Sequence, residues 1–462
     1  MNTNGFGFSF NFGGNGDDDN NGRNNNPFGA GGLGDMLNQF GQMLSGMGST
    51  MNSPEGQGPV NYALAERIAR QQIGSSTAVS DNDTAAVEEA VRLVEIWLDD
   101  ATILPASGNT VAAWDASLWL EQTLPMWKRL VTPVAENMPQ AQVDSLPEEA
   151  REMVGPMMQI MNQMSGMNFG MQLGHALGDL ATQTIAGTDF GLPIAPTGVT
   201  ALLPANLRKE TSGLKIEDRE VIVYLSAREA ARQRLFKHVP WLRERLVSSV
   251  EEYATGLVID TSHIEEAMRD LNLESGDPAA IQNAMEQLQG LDMSPRITSR
   301  NSHAASRLET LLALIEGWVE IVVTEAMGNR IPSTAALNEA WRRRRATGAS
   351  AEQAFAKVVG IEFAAPKVAE AQELWRRVGV AVGTERRDHV WDHPDFLPTA
   401  EDLESSAEFI DALLDDSSGS DFDPIAEITK LEEMLASEGE NPESKENPKP
   451  EDDTDDQDPK KP

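Results

Sequence analysis

Hydrophobic residues recur at helical spacing after Asp218, and this pattern predicts one long helix that ends near Val239. Asp218 can cap its start, because a short carboxylate accepts hydrogen bonds from the free N–H groups of the first turn. Pro240 should end the helix, since proline pushes the preceding residue out of the α region. Ile222 and Leu225 then fall on an apolar face of the segment.

The same spacing recurs along most of the chain and predicts a mainly α-helical fold with a small β element. A short strand or two is expected only between residues 188 and 203, where several glycines and prolines break the helical pattern. The further predicted helices run at 62–73, 84–97, 157–186, 241–256, 303–326, 334–346, 351–359 and 366–379.

Four glycines recur every fourth residue inside the helix predicted at 157–186: Gly166, Gly170, Gly174 and Gly178. A glycine inside a helix costs about 1 kcal/mol relative to alanine. A repeated cost of this kind indicates that another backbone approaches the stripe closely.

Composition divides the chain into three parts. Residues 1–60 are rich in Gly, Asn and Phe and bury too little apolar surface to offset their ordering entropy, which predicts disorder. Residues 404–462 are acidic and are predicted to be largely disordered. Residues 61–403 are predicted to form one helical domain, with a possible division into 61–187 and 188–403.

The charge balance excludes several classes of function. The 462 residues carry a formal net charge of -36, so phosphate would be repelled and no nucleic-acid partner is expected. The chain has no cysteine, which excludes disulfides and thiolate metal sites. No apolar run reaches the roughly 20 residues of a membrane span, and no secretory signal is visible, so a cytoplasmic location is expected.

The predicted helix at 218–239 contains the run Arg228-Glu229-Ala230-Ala231-Arg232. Arg228 and Arg232 are one turn apart on one face, and Glu229 lies about 100° around the helix. This is the spacing of the zincin motif H-E-x-x-H, in which two histidines hold zinc and the glutamate is the general base. By itself, such a run is most often a solvated helix face.

The chain resembles an actinobacterial family of zincin-like proteins described as zinc-dependent metalloproteases or hydrolases. The resemblance extends from Ala63 to Leu403 and implies a zincin-like helical fold. It rests on the strings GMQLGHALGDLA, GTDFGLP, LLPANL, REAARQRLFKHVPWL, LLALIEGW, RRRRATGASAEQAFAKVVGIE and HPDFLPTAEDL.

The resemblance also assigns positions. Glu229 matches the general base, Arg228 and Arg232 match the two histidine ligands, and Glu316 of the Glu-Gly-Trp run matches the third ligand. Zinc would be expected only if the family activity were retained. Because guanidinium has no acceptor, arginine cannot bind a metal, and no metal or other cofactor is expected.

Glu316 lies in an apolar helix, so its carboxylate should be buried and needs a cationic partner. We expect Arg232 and Arg228 to hydrogen-bond Glu316 or Glu320, with Glu229 completing the network and Trp318 supporting it. The basic run 342–345 is interpreted as a solvated helix end that faces carboxylates.

Three hypotheses about function follow. The first is a degenerate, non-catalytic zincin that binds a peptide or protein partner. The second is an active metal-dependent hydrolase with a rearranged site, in which Glu229 is the general base. The third is a scaffold that acts through its disordered tails.

Overall fold

The computed structural model describes residues 58–108, 110–144, 158–262, 296–328, 330–361 and 367–415. Almost all of the leader predicted to be disordered, and most of the acidic tail, lie outside these ranges. Residues up to Ile410 belong to one unit. The second unit begins at Asp411 and is described only as far as residue 415. The division predicted between residues 187 and 188 stays a prediction.

Helices dominate the described ranges, and the mainly α-helical fold is confirmed. They are α1 Tyr62–Ile73, α2 Asp81–Leu98, α3 Ala116–Asp144, α4 Met158–Gln183, α5 Pro204–Thr211, α6 Asp218–His238, α7 Pro240–Thr255, α8 Ser302–Met327, α9 Thr334–Thr347, α10 Ala351–Val359, α11 Val368–His389, α12 Ala400–Glu404 and α13 Ser406–Asp415. Among them, none is long and apolar enough to cross a membrane.

Helix α8 lies at the centre and packs against α6, α7 and α11, while α6 also packs against α2. Both α6 and α8 are buried along nearly their whole length, including several charged side chains. The core therefore encloses polar groups of two neighbouring helices, and each of these groups requires a partner.

Within the part of the chain that the structure describes, four short strands form two pairs. Strand β1, Thr110–Ala113, runs parallel to β2, Val199–Leu202, and β3, Leu257–Asp260, runs antiparallel to β4, Arg296–Ser299. The strand expected between residues 188 and 203 is present, but the expectation that strands occur only there is wrong. Strands of four residues are too short to show a clear alternation of apolar and polar positions.

The glycine stripe of α4 lies against α1. A Cβ atom at Gly170 would lie 2.6 Å from the carbonyl oxygen of Asn61, and one at Gly174 would lie 2.7 Å from that of Ala65. Gly178 instead faces the side chain of Gln72. The predicted close approach of another backbone is confirmed at Gly170 and Gly174.

Candidate functional site

Arg228 and Arg232 of α6 both donate hydrogen bonds to Glu316 of α8. Arg232 Nε lies 2.6 Å from Glu316 Oε1, and Arg232 Nη2 lies 3.0 Å from Oε2. Arg228 Nη2 lies 3.0 Å from Glu316 Oε2. The three positions that the sequence resemblance assigns to metal ligands are thus joined directly to one another.

A second carboxylate and a third arginine complete this arrangement. Arg345 of α9 donates to Glu316 Oε2 at 3.1 Å and to Glu320 Oε2 at 2.8 Å. Arg228 Nη1 also reaches Glu320 Oε2 at 3.4 Å. We call these five residues the arginine–glutamate cluster.

The basic run 342–345 faces carboxylates, as expected, but the interpretation that the whole run is solvated is wrong. The side chain of Arg345 is only 12% exposed, and that of Arg344 only 14%. Arg342 and Arg343 are much more exposed, although Arg342 still donates to Glu320. The run lies 25 or more residues beyond Glu316 in sequence, so only the packing of α9 could reveal these pairs.

Burial and charge act in opposite directions on Glu316. Burial tends to raise its pKa, but Arg232, Arg228 and Arg345 outweigh this effect and hold the pKa well below its usual range. The carboxylate is therefore ionised at neutral pH. Within the cluster, Arg228 Nε is buried and has no hydrogen-bond partner, so part of its desolvation cost is not offset.

Glu229 is set apart from the cluster. Its oxygens accept from the Thr188 N–H at 3.1 and 3.2 Å, from Thr188 Oγ1 at 2.7 Å and from Gln233 Nε2 at 3.4 Å. Its link to the cluster is a 3.9 Å ion pair with Arg232. The expectation that Glu229 completes the network is therefore only loosely met. Burial raises its pKa to about 7, and Arg232, Thr188 and Gln233 offset this only in part.

The GTDFGLP segment, residues 187–193, covers the carboxylates of Glu229 and Glu316. Gly191 has a φ of +77°, and a Cβ atom there would lie 2.8 Å from Glu316 Oε1. A Cβ atom at Gly187 would lie 3.0 Å from Glu229 Oε1. Asp189 accepts two hydrogen bonds from Arg344, at 2.8 and 3.1 Å. The sequence singled out this string, but nothing in it indicated that the segment lies on the site.

Trp318 is turned away from the arginine–glutamate cluster. Its indole N–H donates to Asp388 Oδ1 at 2.9 Å, and Asp388 Oδ2 accepts from the Thr102 hydroxyl at 2.6 Å. Arg387 is also buried and donates to Asp388. Trp318 therefore connects α8 to a second buried polar network, and its expected support of the first is indirect.

The side chains of the cluster do not fit a zinc ion. Within the described ranges, no group of three or more His, Asp or Glu residues is placed to hold a metal. Two of the three ligand positions carry guanidinium groups, which are positively charged and have no lone pair to offer. Their donors already point at Glu316, so no metal-dependent step can be derived from these residues.

Comparison with known proteins agrees with the sequence resemblance. The profile of the family described as "Zincin-like metallopeptidase" matches residues 60–410. A search of curated proteins gave no match.

Among solved structures, the chain is similar to a suggested hydrolase with a novel fold from Chloroflexus aurantiacus. The match has 17% identity and a TM-score of 0.52, and it covers 77% of this chain and 98% of the other. At this identity the likeness concerns the fold alone. Because the family profile spans most of the chain, including α6 and α8, the protein belongs to the zincin-like metallopeptidase family.

Proposed function

We propose that this protein is a non-catalytic member of its family that acts by binding a peptide or protein partner. The observation that carries the proposal is the pairing of Arg228 and Arg232 with Glu316. A zincin needs a metal-bound water next to its glutamate base. Here the guanidinium groups of Arg228 and Arg232 occupy the ligand positions instead of histidines.

The rival proposal, an active hydrolase with Glu229 as general base, has one observation in its favour. A base with a pKa near 7 is well matched to neutral pH, and burial brings Glu229 to that range. However, Glu229 is fully buried, and its oxygens already accept hydrogen bonds from Thr188. Geometry therefore favours the non-catalytic proposal.

Metal analysis and a peptidase assay on the full-length protein separate these two proposals. We expect no stoichiometric zinc and no hydrolysis of a mixed quenched-peptide library. The non-catalytic proposal fails if hydrolysis is observed, is stopped by a chelator, and is lost in Glu229→Gln but not in the control Glu373→Gln on the exposed face of α11.

A cleft of about 580 Å³ supports the partner-binding part of the proposal. It lies between α7, α8 and residues 394–401 of the HPDFLPTAEDL string. Leu314, Leu397 and Pro398 supply apolar lining, and Arg245 is exposed with no ion-pair partner among the described residues. Asp395 and Glu401 also line the cleft. The cleft thus suits an extended peptide that combines an apolar side chain with a carboxylate.

Selection from a displayed peptide library on the full-length protein tests this surface. We expect selected peptides to carry an acidic residue and to lose at least about tenfold in affinity against Arg245→Glu. The matched control is Arg219→Glu, an exposed arginine that does not line the cleft. Unchanged affinity in Arg245→Glu would exclude this cleft.

The third hypothesis, a scaffold that acts through its tails, concerns residues outside the described ranges. Removing residues 1–57 and 416–462 tests it. If the truncated chain still binds the selected peptides with unchanged affinity, the tails are not the binding element.

A further inference from the structure

Thr188 lies where any reacting group would have to lie in order to use Glu229 as a base. A general base must be within hydrogen-bond reach of the proton that it takes. Both oxygens of Glu229 accept from the Thr188 N–H, and Oε2 also accepts from its hydroxyl. A water molecule or a peptide could reach these oxygens only by displacing Thr188.

The same segment also closes the approach to the third ligand position. Gly191 adopts the left-handed conformation and lies directly against Glu316. A Cβ atom on Gly191 would overlap Oε1 and Cγ of Glu316. Backbone in contact with both carboxylates leaves no space for a second chain between the segment and helices α6 and α8.

We propose that the GTDFGLP segment is a built-in occupant of the former catalytic cleft and excludes peptides from it. The inference rests on the proposed function, because it implies that a partner binds elsewhere on the molecule. It adds a second barrier to catalysis, one that is independent of the arginines at the ligand positions.

The contacts of the segment indicate a permanent occupant and not a lid. Phe190 and Leu192 are almost completely buried, and Asp189 is held by Arg344 and by the Ile185 N–H. Beyond the segment, the carbonyl of Ala195 accepts from Arg243 Nη2 at 2.9 Å. Opening would therefore break polar contacts with three helices and expose apolar side chains at the same time.

Hydrogen exchange of the full-length protein, read by mass spectrometry, tests this inference. Amides of residues 188–192 should exchange at rates within about tenfold of those in the middle of α6, because both should need unfolding of the core. Residues 212–217, which are mostly exposed, provide the fast reference. Exchange of the segment about 100-fold faster than α6 would show a lid that opens, and would overturn the proposal.

A matched pair of variants tests the role of the hydroxyl. Thr188→Val keeps the branched shape but removes the donor to Glu229, and Thr182→Val removes an exposed hydroxyl on α4 that bonds only its own helix. Carbodiimide labelling of carboxylates should spare Glu229 in the parent and in both variants, because the Thr188 N–H and the buried Phe190 and Leu192 still hold the segment over it. Labelling of Glu229 in the parent at the rate of exposed carboxylates would overturn the proposal.

The two proposals fail separately. If the segment opens but the protein has neither zinc nor peptidase activity, the proposal of a built-in occupant is wrong and the proposed non-catalytic function is unaffected. Hydrolysis that depends on Glu229 excludes the non-catalytic function, whatever the exchange rates are.

Discussion

Arg232 donates two parallel hydrogen bonds to Glu316, from Nε at 2.6 Å and from Nη2 at 3.0 Å. Bidentate pairing of a guanidinium with a carboxylate combines two charge-assisted hydrogen bonds, which are stronger than neutral ones, and it fixes the geometry of both groups. Both side chains are almost completely buried, which makes the loss of one partner far more costly than the loss of the pair.

The first prediction concerns this pair. Arg232→Ala should lower the free energy of unfolding by about 3–5 kcal/mol, because it removes two of the donors to the buried Glu316. Urea unfolding followed by circular dichroism measures the loss. The control Arg376→Ala breaks an exposed pair with Glu373 and should cost far less, because solvent screens this pair. Equal losses in the two variants would contradict the buried cluster.

The second prediction is that removing both charges restores stability. Arg232→Met/Glu316→Leu leaves no unpaired charge from this pair, so much of the loss seen in Arg232→Ala should be recovered. The same unfolding experiment applies. The prediction is wrong if the double variant is less stable than Arg232→Ala.

The third prediction concerns metal. Arg228→His/Arg232→His supplies two imidazoles one turn apart opposite Glu316, so it should gain zinc affinity relative to the parent. Calorimetric titration with zinc measures this affinity. Arg208→His/Arg219→His, which changes two exposed arginines outside the cluster and leaves both ligand positions as arginine, is the control. No gain over this control would show that the geometry of the former site has not survived.

The fourth prediction concerns pH. The native pKa of Glu229 is raised from 4.5 to about 7, so between these values the native chain holds a proton that the unfolded chain releases. The free energy of unfolding should therefore fall as pH rises through this window, by up to about 3 kcal/mol. Glu316, whose pKa is lowered, acts differently: its contribution is present above pH 4.5 and is lost as pH falls below it.

Glu229→Gln isolates the first of these effects. The variant cannot ionise at this position, so its stability relative to the parent should increase between pH 5 and pH 8. Urea unfolding at the two pH values measures this difference. A difference that is the same at both values would show that Glu229 has an ordinary or a lowered pKa.

The fifth prediction separates steric overlap from backbone strain at Gly191. Gly191→Ala places a methyl group 2.8 Å from Glu316 Oε1 and also strains a φ of +77°. Gly74→Ala strains a similar φ of +65° but has nothing within 4 Å of the new methyl group. Strain from a positive φ should cost about 1–3 kcal/mol in either variant, and overlap should add about 1–3 kcal/mol at Gly191 only. Equal melting temperatures for the two variants would mean that Gly191 does not lie in close contact with Glu316.

The sequence by itself determined much of the local structure. Helical spacing and a proline placed the end of α6 within one residue of its observed position, because these signals act over a few neighbouring residues. The expected cap by Asp218 is wrong: Asp218 is the first residue of the helix, and the N-cap position, Glu217, makes no side-chain capping bond. The one-turn spacing put Arg228 and Arg232 on one face. The chemistry of guanidinium then required carboxylate partners, and the structure supplies Glu316 and Glu320.

Only the tertiary structure decided what else surrounds these groups. Arg345 enters the cluster and Thr188 binds Glu229 through the packing of α9 and of the GTDFGLP segment. Contacts between residues dozens of positions apart depend on how whole elements pack, and no local period in the sequence encodes them. Strands β1, β3 and β4 escaped prediction because four residues show no clear alternation, whereas β2 was expected only because glycines and prolines break the helical pattern around it.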